Sequence, residues 1–513
     1  MAKKSFIGGT IILMCAGLIV RILGFIYRIY LSNLIGAEGM GLFGLISPIY
    51  SLVILTLTSG ISIAVSKMVA EELARNHIVN LKRITACGLA IVMAAGLTVS
   101  VLLFIFLRPI VDNILKDGRT YYSLMLLIPC IPVIAAASAI KGYFYGMQDV
   151  TPTAVSQIVE QIVRIGLVMA MAASFLNIGL EYACALATIG MAFGEIANLL
   201  VVAIVYWRRG KAGRGTKRGI LRKRIIIKDI LKISIPISFN RFITSAMSAV
   251  EDILIPARLL AGGLDSKSSL EEYGRLLGMA FPLLFFPSVL TSALSTTLVP
   301  AISEGMSLKN YKMVNYRISK SVQLAFIVGF IFTAVFLTYP SEIGDLLYKG
   351  QDIGRMLYLL SFTCVFLYVQ MTLLGILNGL GKQGASLQNQ IIGSSIRIGF
   401  VYFAVPAYGI TGYVWGLIAS MACVCILNLY YVVKTTGMTL DLRNWILKPG
   451  IVGGVMYFIG KYIYSFFEIF SIGNRWTIVM AVAGNVSIAI ALMMVVGALD
   501  RKEIMRLIGF KKR

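Results

Sequence analysis

Long apolar runs constrain the fold of this chain more than any other feature of its sequence. Hydrophobic residues make up 58% of its 513 positions, and the mean hydropathy is +0.85. An apolar stretch of about 18 residues crosses the hydrocarbon of a bilayer as a helix, in which every backbone polar group is satisfied internally. The pattern predicts an all-α polytopic membrane protein with about fourteen transmembrane helices, which begin near residues 6, 40, 82, 121, 152, 181, 230, 276, 318, 356, 385, 409, 449 and 476.

The basic residues are distributed unevenly between the loops on the two sides. With the N-terminus placed inside, 31 of them fall in cytoplasmic loops and 10 in outer loops. This bias predicts a multi-pass protein of the cell membrane with both termini cytoplasmic. It also explains the net charge of +24 without a nucleic-acid partner. The longest basic segment, residues 211–228, is expected to attract anionic membrane lipids, with a regulatory role as the alternative.

One stretch of the sequence occurs twice. Residues 142–168 align without a gap on residues 375–401, with eight identities in 27 positions. An internal repeat in a membrane protein is typical of transporters, and an even number of spans in each copy makes the copies parallel. The predicted organisation is a six-helix lobe over 1–210, a cytoplasmic linker over 211–228, a second six-helix lobe over 229–440, and two added helices with a basic tail over 441–513.

Several enzyme classes lack the residues they need. His77 is the only histidine, no CxxC pair occurs among the seven cysteines, and there is no GxxxxGK[ST] phosphate-binding loop. No loop is long enough to form a soluble catalytic domain. We therefore expect neither a metal site, a cofactor nor enzymatic activity.

Charged residues inside the predicted spans are functional candidates, because burying them in a membrane is costly. Arg21 and Arg28 are seven residues apart, which places them on one face of the first helix. Their guanidinium groups suit a phosphate or diphosphate, since the planar fork donates two parallel hydrogen bonds. The alternative is that Arg28 anchors at the outer interface while Arg21 pairs with an acid. The hypothesised substrate cavity also includes Asn240, Arg241 and Arg397.

The acids in the spans suggest two roles. Glu160 and Arg164 are spaced i, i+4 and are predicted to form a structural ion pair. The repeat counterpart of Arg164 is Arg397, which has Gly393 where the acid would stand, so its partner must lie on another helix or in the substrate. A gate or an ion-coupling site is predicted at Glu195, beside Asn198 on the sixth span, and at Glu251 and Asp252 on the seventh. The alternative for Glu195 and Asn198 is that they satisfy a buried partner, and Arg28 against Glu251 or Asp252 is the predicted outer gate.

Three motifs resemble a known family. VRILGFIYR (20–28), VSKMVAE (65–71) and KGYFYGMQDVTPTAVSQIVEQIVRI (141–165) are similar to the stage V sporulation protein B family, polysaccharide flippases related to the MurJ-type lipid II flippases. The resemblance implies a V-shaped, two-lobed helical fold. It also implies outward movement of an undecaprenyl-diphosphate-linked, lipid II-like precursor for the peptidoglycan of the spore cortex. The R-x-L-G-F motif of the relatives fits Arg21, whereas Arg28 and Arg275 match their further arginines only approximately.

Two other functions remain open at this stage. A cation-coupled drug exporter of the same superfamily would need acids to dominate its cavity, but arginines in the spans outnumber acids by five to four. A non-transporting scaffold would recruit cell-wall synthesis enzymes through its basic segments, but it would gain nothing from buried charges. Because no nucleotide motor is encoded, we hypothesise that the membrane potential drives the export of an anionic lipid.

Overall fold

The computed structural model describes residues 6–176, 178–210, 221–469 and 473–499. Within these ranges the regular structure is helical, with no strand, which confirms the predicted all-α class. Most of the predicted basic linker, and the predicted basic tail from residue 500 onward, lie outside the described residues.

The helices follow one another with short connections. In chain order, α1 to α10 are Phe6–Ala74, Ile78–Ile105, Leu107–Pro109, Tyr121–Leu127, Cys130–Gly146, Thr151–Leu176, Leu180–Gly210, Lys223–Ala261, Ser266–Gly274 and Phe281–Phe285. The remaining helices, α11 to α20, are Ser288–Ser307, Tyr311–Thr338, Pro340–Leu347, Gly354–Ser361, Cys364–Gly379, Gln383–Phe403, Val405–Tyr408, Ile410–Thr436, Lys448–Glu468 and Asn474–Val495. Short π-helical or 3-10 segments cover Ile110–Leu115, Gly118–Thr120, Arg275–Ala280 and Arg443–Leu447.

Each of the fourteen predicted spans falls on a helix or on a bent pair of helices. In the described residues, eight helices are long and apolar enough to cross a membrane, and three bent pairs raise that number to 11. The first of the eight, α1, contains two predicted spans, which meet at Gly36, where φ is 70° and the helical conformation is interrupted. The other two predicted spans correspond to α8 and α16, of 39 and 21 residues. That all fourteen cross the membrane stays a prediction.

Contacts divide the chain into two compact units. The first comprises Met1–Ala257 and Ser266–Gly274, and the second comprises Arg258–Asp265 and Arg275–Arg513. Helix α8 therefore packs with the first unit as far as Ala257. The lobe boundary predicted at residue 229 from the repeat stays a prediction.

Each unit has its own apolar core. Buried side chains of α1, α2, α5 and α8 meet in the first unit, among them Ile61, Val65, Ile84, Ala135 and Ile230. Buried side chains of α11, α12, α15 and α18 meet in the second unit, among them Leu298, Val322, Leu373 and Cys425. Because these side chains pack closely, they determine which face of each helix is turned toward its neighbours.

The repeated glycines have the same packing role in both units. A Cβ atom on Gly142 of α5 would lie 2.7 Å from the carbonyl oxygen of Ser62 on α1, and one on Gly375 of α15 would lie 2.8 Å from that of Ser295 on α11. Only a residue without a side chain allows the two backbones to approach so closely. The helix that carries each glycine is also preceded by a bend, of 40° in the first unit and 54° in the second.

We expect Gly142→Ala to lower the thermal stability of the protein by a few degrees. The added methyl group must displace backbone of α1, and such overpacking costs about 1–3 kcal/mol. Gly166→Ala is the matched control, because an added Cβ at Gly166 of α6 meets nothing within 4 Å. Loss of monodisperse protein on heating in detergent measures both variants. Equal stability of the two variants would show that the close approach of α5 to α1 does not restrict the size of the residue at position 142.

The two added helices pack against α12. Tyr339, which follows α12, donates its hydroxyl to the carbonyl of Gly460 at 2.6 Å and lies 3.4 Å from the amide nitrogen of Asn485. Large aromatic side chains on the opposite face of α19 are exposed, including Phe458 and Tyr462. Apolar surface of this kind is stable against lipid but not in water, in agreement with a multi-pass membrane protein.

Candidate functional site

A cluster of polar side chains lies between α6 and α7, where these two helices of the first unit pack together. On α6, Arg164 donates from Nη2 to Oε1 of Glu160 at 2.6 Å. The side chains are only 15% and 12% exposed, so this ion pair is largely removed from solvent. This contact is the ion pair predicted from the i, i+4 spacing of the two residues.

The second carboxylate oxygen of Glu160 is bound across the helix interface. Asn198 of α7 donates Nδ2 to Oε2 of Glu160 at 2.8 Å and to Oε2 of Glu195 at 3.3 Å. The helices come this close because Gly194 faces α6, and a Cβ there would lie 3.0 Å from the carbonyl oxygen of Glu160. One amide thus links two carboxylates on neighbouring helices, a contact that spacing along one helix does not reveal.

A cavity of about 230 Å³ opens beside this cluster, within the first unit. Glu160, Glu195 and Asn198 line it, and Lys141 of α5 lines it as well. Hydroxyl groups from α1 and α5 complete the polar wall, namely those of Thr58, Ser59, Ser62, Ser138 and Tyr145. The cavity is therefore a polar chamber inside an otherwise apolar bundle.

Lys141 is the site residue that the sequence analysis missed. It lies within electrostatic reach of Glu195 and Glu160. Among the described residues, however, it makes no ion pair and no hydrogen bond. It lies near the end of an apolar run that is predicted to be cytoplasmic, where interfacial lysines are common. The signal that distinguishes it is the repeat, because its counterpart at the same shift is Leu374.

Arg397 occupies the corresponding place in the second unit, with different partners. It is 9% exposed and donates to Oγ of Ser420 on α18 at 3.0 Å and to Oγ of Ser394 at 3.1 Å. Ser420 is therefore a hydrogen-bond partner on another helix, one of the two alternatives drawn from the sequence. Whether Arg397 also binds a substrate stays a prediction.

The other predicted residues lie on α1 and α8. Arg21 is exposed on α1, and Asn240 and Arg241 are exposed on α8. Their role in a substrate cavity stays a prediction.

A second charged group of the first unit surrounds Tyr273 of α9. This tyrosine lies within electrostatic reach of Asp252, Glu251 and Arg28, and its hydroxyl donates to the carbonyl of Gly44 at 3.2 Å. Glu251 is buried at 5% exposure. Arg28 and the two acids predicted as an outer gate therefore lie around the same tyrosine, and their gating role stays a prediction. In the described part of the chain, no three His, Cys, Asp or Glu side chains are grouped closely enough to hold a metal ion.

Three comparisons identify the kind of protein. The chain is 30% identical over 99% of its length to stage V sporulation protein B of Bacillus subtilis, of which the alignment covers 98%. It is 25% identical to the lipid II flippase MurJ of the same organism, covering 77% of this chain and 76% of that one. Its fold matches a MOP superfamily transporter from Pyrococcus furiosus with a TM-score of 0.62, at 14% identity, over 85% of this chain and 97% of that one.

These similarities agree with the structure in fold and in class. Numerous apolar helices, two units that share a repeated helix pair, and buried charges are the features of a membrane transporter. The resemblance drawn from the three motifs is confirmed. The family model for polysaccharide biosynthesis proteins matches residues 6–306, and the chain belongs to this family of membrane flippases and transporters.

Proposed function

We propose that the protein is a flippase that moves an undecaprenyl-diphosphate-linked cell-wall precursor from the inner to the outer face of the cell membrane, for synthesis of spore cortex peptidoglycan. Similarity to stage V sporulation protein B along almost the whole of both chains carries this proposal. The similarity to a lipid II flippase supports a lipid-linked sugar as the substrate class. Both termini would be cytoplasmic, and no cofactor is required.

The direct test is movement of fluorescent lipid II in proteoliposomes that contain the purified protein. We expect the labelled headgroup to become accessible to a membrane-impermeant quencher on the opposite face, at a rate proportional to the amount of protein. Vesicles with a membrane protein of similar helix count but another function are the control. Equal rates in both kinds of vesicle would contradict the proposal.

Similarity in fold to a MOP superfamily transporter supports a second candidate, a cation-coupled drug exporter of the same superfamily. The cavity of the first unit, with Glu160 and Glu195 in its wall, would be its coupling site. Export of cationic dyes by the same proteoliposomes, without movement of lipid II, would favour this candidate over the flippase. A scaffold for cell-wall synthesis enzymes would give neither activity.

We expect the membrane potential alone to bias the movement of the precursor. An outward step of one negative charge is favoured by about 2.3 kcal/mol at 100 mV, inside negative, which is more than tenfold at equilibrium. A potassium-diffusion potential of controlled size, imposed without a sodium or pH gradient, measures the effect. Transport that ignores this potential but follows a sodium gradient would contradict the expectation.

A further inference from the structure

The cavity of the first unit contains one acid and one base whose charges are not matched by a contact. Glu160 is neutralised by Arg164 at 2.6 Å, which leaves Glu195 and Lys141. Within the described chain, the hydrogen bond from Asn198 at 3.3 Å is the only one that Glu195 accepts, and Lys141 contacts no acid directly. Both side chains line the same space. An ammonium and a carboxylate thus share a chamber without forming an ion pair.

The cavity wall also holds an acceptor that is not used. Asn198 is 1% exposed and directs both of its hydrogen bonds through Nδ2 toward carboxylates. Its Oδ1 atom is buried and has no partner among the described residues. A buried acceptor of this kind costs about 1–3 kcal/mol when it stays unsatisfied. Asn198 Oδ1 can therefore accept a hydrogen bond, either from a side chain that moves or from a bound species.

The second unit shows that these polar groups are not needed to build the helix bundle. Gly194 lies against the backbone carbonyl of Glu160, and Ser420 lies against that of Gly393, so Gly194 and Ser420 occupy matching places. In this register Met421 stands for Glu195 and Val424 stands for Asn198. The remaining two members, Lys141 and Glu160, correspond to Leu374 and Gly393. All four polar positions of the first unit are nonpolar in the second.

We propose that Glu195 is a proton-binding site and that Lys141 is its tethered counter-ion. When Glu195 is ionised, the ammonium of Lys141 balances it across the cavity. When a hydronium ion gives its proton to the Glu195 carboxylate, an O–H bond forms and water is left. The neutral carboxyl no longer attracts the ammonium of Lys141, which is then free to move away. Lys141 carries the positive charge that a bound sodium ion would supply, so the site accepts a proton and excludes sodium. The groups that face Glu195 from the packed helices are Glu160 and Arg164 of α6, Lys141 and Cys130 of α5, and Tyr50 of α1.

The proposed function enters this inference at one point only: it explains what proton binding would serve, namely the coupling of proton entry to export. A proton that moves inward on Glu195 carries charge in the direction that the potential favours, as does an anion that moves outward. Proton binding itself needs no lipid-linked substrate. Failure of the site and failure of the flippase proposal are therefore separable.

Infrared difference spectroscopy of the full-length protein in nanodiscs, stepped across pH, tests the site directly. We expect a protonated-carboxyl band that titrates in the wild type, is lost in Glu195→Gln and persists in Glu195→Asp. Glu181→Gln is the matched control, because Glu181 lies on the same helix but outside the cavity lining. Monodisperse elution and an unchanged helix content establish that each variant is folded. A band that survives in folded Glu195→Gln would overturn the proposal.

The role of Lys141 is tested by the response to sodium. In the wild type we expect the midpoint of the titration to be unchanged by sodium, with potassium as the control salt. Lys141→Gln should move that midpoint to higher pH by about 1–3 units, the usual effect of losing a nearby opposite charge. Sodium should then lower it again, because the hydroxyl and amide oxygens of the cavity are left to bind the ion. A wild-type midpoint that shifts with sodium would refute the role of Lys141 as counter-ion. So would a Lys141→Gln midpoint that equals that of the wild type and does not respond to sodium.

Discussion

Replacing Arg164 with leucine is expected to destabilise the first unit by about 3–5 kcal/mol, the usual result of leaving a buried charge without its partner. Glu160 keeps its bond to Asn198, at 2.8 Å, but loses the guanidinium at 2.6 Å that balances its charge. For a unit of this size the loss corresponds to about 10 °C in the temperature of unfolding. Heating the protein in detergent and measuring the monodisperse fraction gives this temperature.

The double variant Glu160→Gln, Arg164→Leu is the matched control for that result. It removes both charges together and should recover most of the stability, since a neutral pair leaves no charge uncompensated. Charge reversal at both positions should likewise be tolerated better than reversal at either one. If the three reversals are equally damaging, the carboxylate acts on a ligand and not only on Arg164.

Arg21→Ala is expected to reduce lipid movement at least about tenfold while the protein stays folded. A charge-assisted hydrogen bond to phosphate is worth about 1.5–3 kcal/mol, and Arg21 is an exposed residue whose loss leaves no buried void. Arg21→Lys should restore only part of the activity, because an ammonium lacks the planar fork that holds two oxygens at once. The proteoliposome assay with fluorescent lipid II measures the three proteins side by side.

The outcome depends on comparing Arg21→Ala with a second exposed arginine. Arg241→Ala is the suitable variant, since Arg241 is exposed on α8 and belongs to the same predicted cavity. A loss confined to Arg21 assigns the diphosphate to α1, and a loss in both assigns it to a wider basic surface. Full activity of Arg21→Ala removes Arg21 from the binding site.

Most of the fold was predictable because it depends on quantities that are local in sequence. The length of an apolar run determines where a helix lies, and thirteen of the fourteen predicted starts fall on helical residues, while Gly409 immediately precedes α18. Eight identities, the glycines among them, predicted a duplicated helix pair, and a Cβ atom at Gly142 or Gly375 would press on the backbone of the neighbouring helix. The packing of α8 with the first unit was not predictable, since it depends on contacts between segments far apart in the chain.

The site was predictable only where its contacts follow a single helix. The spacing of Glu160 and Arg164 was sufficient to predict their pairing. The bond from Asn198 to Glu160 depends on how α6 and α7 are rotated against each other, which no single-helix pattern specifies. Lys141 differs from its repeat counterpart Leu374, but its acidic neighbours become apparent only when α5 is packed beside α6 and α7.

The difference between the two copies of the helix pair bears on the ancestry of the chain. A duplicated gene begins with two identical halves, so every present difference arose later. Gly142 and Gly146 persist in both halves as Gly375 and Gly379. The ionisable residues that line the cavity of the first unit occur in that half alone. After duplication the two halves therefore kept a common scaffold and diverged in charge, which allowed one half to specialise in handling ions without altering the packing of the other.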